Sequence, residues 1–216
     1  MGLATLPPTV PFLVRVLIMP KTRSARPANR PSRRHEILEA ATELLSSQPP
    51  DEIAVSDIAA HCGMTPAAFY YHFASKDEIL DEIVAGFAAL WVDQVDCALG
   101  TVTTADDVAV AVEGLLTWID EHERASRVYF VTSIGATTNS EAVRRKTRND
   151  LARRAAKTFS KVAPTQDKVR QSISGLGLMT LLEIAARSRL EADATFRTLG
   201  PAGFRAAAGQ LAEALI

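Results

Sequence analysis

The chain has 216 residues, 47% hydrophobic and 23% charged, with a formal net charge of −1. That length suits one large domain or two small ones, and the Ala, Leu and Val richness favours helices over strands. No apolar run approaches the ~18–20 residues of a membrane span, and Cys62 and Cys97 lack metal or redox spacing, as expected of reduced thiols in a cytoplasmic protein.

The apolar run over residues 11–18 follows no basic segment and precedes no clear cleavage site, so a signal peptide is disfavoured. It reads as a leader, or as lying upstream of a true start at Met19. Residues 1–34 carry seven bases and no acid, whereas residues 35–80 carry eight acids and one base, Lys76. A disordered basic arm is therefore expected over residues 1–32, ahead of an acidic helical segment. Each base of such an arm can neutralise a phosphate and release counterions; a merely solubilising tail is the other reading.

Ile37, Leu38, Ala41, Leu44 and Leu45 share one face of a helix over residues 33–47, which Pro49-Pro50 ends. A short second helix is expected from Val55 to Cys62, with Val55, Ile58 and Ala59 inward. Gly63 supplies the left-handed turn after it. Thr65-Pro66 then opens a third helix to about Phe73, with threonine as cap and proline at the first helical position. Ser75, with Glu78 at capping-box spacing, starts a long fourth helix to about Leu99. Later apolar stripes predict helices over residues 106–123, 125–134, 140–162, 167–190 and 202–216. No sustained two-residue alternation occurs. The prediction is an all-α fold of about nine helices.

The first three helices and the start of the fourth resemble the TetR family of bacterial transcriptional regulators. Ile37-Leu38, Ala40-Ala41, Leu44, Ile58-Ala59, Gly63, Tyr70, Phe73, Ser75-Lys76 and Leu80 carry the resemblance, over residues 33 to about 85. Ala54 departs from it, standing where the family often has a capping threonine, so the start of the second helix could shift toward Ser56. The resemblance implies a helix-turn-helix DNA-binding domain over residues 33–80 and a ligand-binding and dimerisation domain over 81–216. It also implies a homodimer that binds a near-palindromic operator and is released by a small, hydrophobic effector.

In a major groove, the third helix would present Thr65, Pro66, Ala67 and Tyr71 to base edges. Few donors lie among them, so thymine methyls and DNA shape are expected to carry the readout. Tyr70, His72 and Lys76 match family positions that touch phosphates, and Arg33 and Arg34 extend the basic arm toward DNA. Phe69 and Phe73 are expected to pack inward. Phe87, Trp91, Trp118, Tyr129, Phe130 and Met179 are candidate pocket residues, or plain core. The many bases of residues 140–162 read as a solvated face, with attraction of an anionic ligand as the other reading. The last two helices, apolar and rich in small residues such as Ser174, Gly175, Gly177, Ala207 and Ala208, are the expected dimer interface.

No catalytic residue, metal site or cofactor is expected: the chain lacks a phosphate loop, a nucleophile elbow and a Glu-x-x-His pair on facing helices. The alternative readings are a helical small-molecule-binding protein, or an enzyme, with a vestigial DNA-binding module.

Overall fold

The computed structural model describes residues 32–216. All of the expected arm except Ser32, with the apolar run and Met19, lies outside them. Among the described residues nine α-helices form, with no strand. They are α1 (Arg33–Leu45), α2 (Val55–His61), α3 (Pro66–Tyr70), α4 (Lys76–Gly100), α5 (Ala105–Glu121), α6 (Glu123–Arg127), α7 (Thr138–Val162), α8 (Lys168–Glu191) and α9 (Ala194–Glu213). A π-helical segment, Val128–Thr132, continues α6.

Local chemistry sets most of the boundaries. Ser32, Thr65, Ser75, Thr104, Thr137, Asp167 and Asp193 each cap a helix through a side-chain oxygen, satisfying donors that the first turn leaves unpaired. Ala54 cannot, yet α2 still begins at Val55: Asp57 Oδ2 accepts from the Ala54 N–H at 2.8 Å, which is one half of a capping box. Helix α3 ends at Tyr70, earlier than its expected end near Phe73. Helix α9 starts at Ala194, eight residues before the expected Ala202, and bends at Gly200 (φ 68°) before Pro201. The Gly-Pro pair, which reads as a helix boundary, is here a kink.

Helix α4 is the central element. By length and composition it could cross a bilayer; within this fold Ile79, Leu80, Ile83, Val84, Phe87, Ala88, Trp91, Val95 and Leu99 are all buried. It packs chiefly on α7, while α8 packs on α7 and α9 on α5. Two glycines allow those close approaches. A Cβ on Gly175 would lie 2.4 Å from the Ala152 carbonyl oxygen of α7, and one on Gly209 would lie 3.0 Å from the Ala109 carbonyl oxygen of α5.

Several small residues of α8 and α9 therefore serve packing within the chain, while Gly177 is half-buried and Ala207 exposed. Ser174 is buried and donates to the Leu215 carbonyl at 2.6 Å, and Ala208 is buried too. What α8 exposes instead is Val169, Ile173, Leu176 and Ile184. Their spacing of four, three and eight residues puts them on one helix face.

Candidate nucleic-acid interface

Two backbone bonds make the turn of the helix-turn-helix. Gly63 has φ 63°; its N–H donates to the Ala60 carbonyl at 3.0 Å, and the Met64 N–H donates to the Ala59 carbonyl at 2.9 Å. This pair of bonds closes α2 as a Schellman cap, and a left-handed residue between them is best supplied by glycine. Thr65 Oγ1 then accepts from the Ala68 N–H at 3.2 Å, and Pro66 occupies the first helical position.

Helix α3 is anchored from beneath. Phe69 and Phe73, as expected, are fully buried, with ring centroids 6.2 Å apart. Thr65, Pro66, Ala67, Ala68, Tyr70 and Tyr71 face outward, Tyr71 with 87% of its surface exposed. His72 is half-buried, its ring edge-on to Tyr71 at 5.3 Å. The residues expected at base edges are thus brought together on one exposed surface. That surface carries no formal charge, and its one aliphatic hydroxyl, on Thr65, already accepts as a cap.

The basic residues behave differently from one another. Arg33 is exposed and pairs with Glu36 at 2.6 Å. Arg34 turns inward: its guanidinium donates to the His72 carbonyl, pairs with Glu82, lies 3.6 Å from Glu78, and sits 3.8 Å above the Phe73 ring. It ties the exit of α3 to the first turns of α4. Lys76 is likewise committed, with its ammonium donating to the Pro50 carbonyl and to the Ile53 carbonyl at 2.8 Å. Two of its three donors hold the short 3-10 turn Pro50–Glu52 against α4, leaving one for a phosphate. Sequence reasoning missed this double role, because an Arg or Lys near a DNA-facing helix carries no sign of a carbonyl partner elsewhere in the chain.

Cys62 is half-buried; its Sγ lies 3.5 Å from the Glu36 carbonyl, and burial pushes the thiol pKa up.

A second junction joins α4 to the rest of the chain. Asp81 accepts from Thr137, from Asn139 Nδ2 at 2.9 Å and from Ser140 Oγ at 2.7 Å, all at the N-terminus of α7. Burial pushes its carboxyl pKa up, but these hydrogen bonds outweigh it and hold the pKa below the ordinary aspartate value. Nothing in the spacing of the sequence pairs Asp81 with residues some 56 positions later.

Farther in, Phe87, Trp91, Trp118, Tyr129 and Phe130 form one aromatic cluster. Phe87 stacks on Tyr129 at 4.8 Å and meets Phe130 edge-on at 5.6 Å; Trp91 lies 5.8 Å from Trp118. The space beside Trp91, Tyr129 and Met179 is about 10 Å³, barely the room one water needs. Five of these six residues are buried and Trp118 is half-buried, so all contribute to core packing, while Tyr129 and Phe130 also border a wider cleft. Burial pushes the Tyr129 hydroxyl up to about 12. Arg144, read as part of a solvated face, is only 7% exposed and donates to the Tyr129 carbonyl and Ser133 Oγ.

Residues 37–83, the stretch spanning this anchored helix-turn-helix, match the family model described as bacterial regulatory proteins, tetR family. This segment is similar to the DNA-binding domain of that family. A relative described as the HTH-type transcriptional repressor KstR2, from Mycobacterium tuberculosis (strain CDC 1551 / Oshkosh), is 41% identical over 56 residues, 26% of this chain and 28% of that protein. The nucleoid occlusion factor SlmA of Marinobacter nauticus is 42% identical over 55 residues, again 26% of this chain and 28% of that protein. The chain therefore matches little more than a quarter of the length of these relatives. A TetR-like transcriptional regulator from Rhodococcus sp. RHA1 superposes with a TM-score of 0.65 at 20% identity, over 88% of this chain and 96% of that one. At that identity the likeness is one of fold, and it extends the TetR-type architecture well beyond the helix-turn-helix.

Proposed function

We infer that this chain is a dimeric transcriptional repressor that binds a near-palindromic operator and leaves it when a small molecule binds residues 81–216. The observation that carries the reading is the exposed, uncharged surface of α3 over a fully buried Phe69 and Phe73. A short helix whose outer side chains are spared from the core, while its inner ones are locked in it, is suited to a major groove. Thr65, Pro66, Ala67 and Tyr71 would meet base edges, with thymine methyl contact and shape readout ahead of hydrogen bonding. Tyr70, His72, Arg33 and the remaining donor of Lys76 would touch phosphates. That is a thin set of cations, so the bases of residues 1–32 would supply much of the affinity. A DNA partner places the protein in the cytoplasm.

The second copy would seat on the exposed face of α8, Val169, Ile173, Leu176 and Ile184, setting two α3 helices on half-sites about 34–36 Å apart. The two junctions on α4 support the coupling. Glu78 and Glu82 hold Arg34 and, through it, the exit of α3; Asp81, between them in sequence, holds the start of α7. A shift of α7 would tilt α4 and change the spacing of the two recognition helices.

Footprinting on the DNA flanking the protein's own gene tests the reading at two salt concentrations. A protected site with twofold symmetry is expected. Deleting residues 1–32 should weaken binding and flatten its salt dependence, the log–log slope falling by about 0.9 for each phosphate no longer neutralised. Absence of protection at low salt would refute the reading.

A further inference from the structure

The space beside Trp91, Tyr129 and Met179 is about the size of one water, and a larger cleft lies next to it. It measures about 200 Å³ and lies between the π-helical segment, α7 and α8. Phe130, Ile134 and Ile184 line it, and the two isoleucines are 46% and 62% exposed. They are apolar surface that an apolar body would remove from water.

Its charged lining is unequal. Arg144, Arg148 and Arg187 meet two carboxylates, Glu141 and Glu183. Both carboxylates are engaged: Glu141 Oε1 accepts from the Gly135 N–H at 2.9 Å and Arg144 Nε at 3.2 Å, and Glu183 Oε1 accepts from Arg148 Nε at 2.8 Å. Arg144 is fixed in the wall by its bonds to the Tyr129 carbonyl and Ser133. Arg148 spends only its Nε among the described residues, which leaves the paired Nη groups. Arg187 reaches Glu191 only at 3.9 Å, beyond hydrogen-bond length. The cleft thus carries one excess positive charge and guanidinium donors to spare, beside exposed aliphatic surface.

The geometry points to a binding site for a small organic monoanion with an apolar body, its carboxylate held by Arg148 and Arg187 and its ring or short chain against Phe130, Ile134 and Ile184. Guanidinium forks match a carboxylate in charge and in shape. The volume is below the ~300–1,000 Å³ of sites for drug-sized ligands, which favours an aryl or short-chain acid over a long acyl chain. The inference rests on the reading of residues 81–216 as the sensing part, and it replaces the hydrophobic effector expected from sequence with an anionic one. Ile184 also belongs to the α8 face proposed for the second copy, so the cleft opens at the rim of that face. An occupant there would bear on dimer geometry.

Calorimetry on the full, DNA-free chain tests the site with benzoate, benzyl alcohol and benzylamine as probes. Benzoate is expected to bind saturably and roughly tenfold or more tighter than the alcohol, with the amine weakest. Arg187→Met, at a half-exposed position, should fold normally by circular dichroism. It should lose benzoate affinity by about the same factor and leave the alcohol unchanged. Equal affinity for acid and alcohol, indifference to Arg187→Met, or no binding by any probe would each overturn the site. Footprinting without probe remains an independent reading of DNA recognition, so the two can fail separately.

Discussion

Arg33 and Arg34 are adjacent bases at the start of one helix, and their fates differ because a helix turns about 100° per residue. Arg33 points to water, where its pair with Glu36 at 2.6 Å contributes little. Arg34 points at the α3–α4 junction, where it meets two carboxylates, a carbonyl and a ring. Arg34→Met should therefore lower stability by about 1–2 kcal/mol in chemical denaturation, discounted for partial exposure. It should also weaken operator binding by loosening the exit of α3. Tyr71→Ala, at 87% exposure, should leave stability within about 0.5 kcal/mol and still reduce operator affinity in a gel-shift titration. An Arg34→Met protein with unchanged stability and a flatter salt slope would instead mark Arg34 as a phosphate ligand.

Helix α4 belongs to both halves of the chain, and the expected domain boundary at residue 80 falls inside it. No break or linker interrupts the chain there; one continuous helix joins the helix-turn-helix to the later helices, gripped near its N-terminus from two sides. Asp81 is the grip on α7. Its folded pKa is depressed by hydrogen bonding, so its contribution is present above the ordinary value of 3.8 and lost as pH falls through the folded value. Asp81→Ala should cost about 1–2 kcal/mol at pH 7. Melting curves of wild type and variant should converge once acid has protonated Asp81; a gap that persists there would mean the loss is one of packing.

At the scale of the whole molecule, one unpartnered feature among the described residues is the α8 face of Val169, Ile173, Leu176 and Ile184, the first two 68% and 64% exposed. Aliphatic side chains aligned on a long, well-packed helix suit a twofold partner, since each copy presents the same surface. Ile173→Glu should leave helical content intact and convert the protein to a monomer in light scattering. Operator affinity should fall with it, because the two half-sites would no longer be bound through one linked body. A dimer of unchanged mass would place the interface elsewhere.

Much of the architecture was readable from local chemistry. Helix periodicity, Gly63, Thr65-Pro66 and Ser75 act within a few residues of themselves, so the sequence determines the all-α class, the helix-turn-helix and most helix starts without tertiary help. Three matters depended on groups distant in the chain. The tertiary structure decided that Arg34 and most of Lys76 are internal ties, because their carbonyl and carboxylate partners lie 23 to 48 residues away. It placed the small residues of α8 and α9 in close packing against α7 and α5, because a glycine's value depends on which backbone approaches it. It packed the aromatic cluster tightly beside Met179 and left a cleft lined by arginines next to it, because periodicity marks an inward face but not whether the interior is filled.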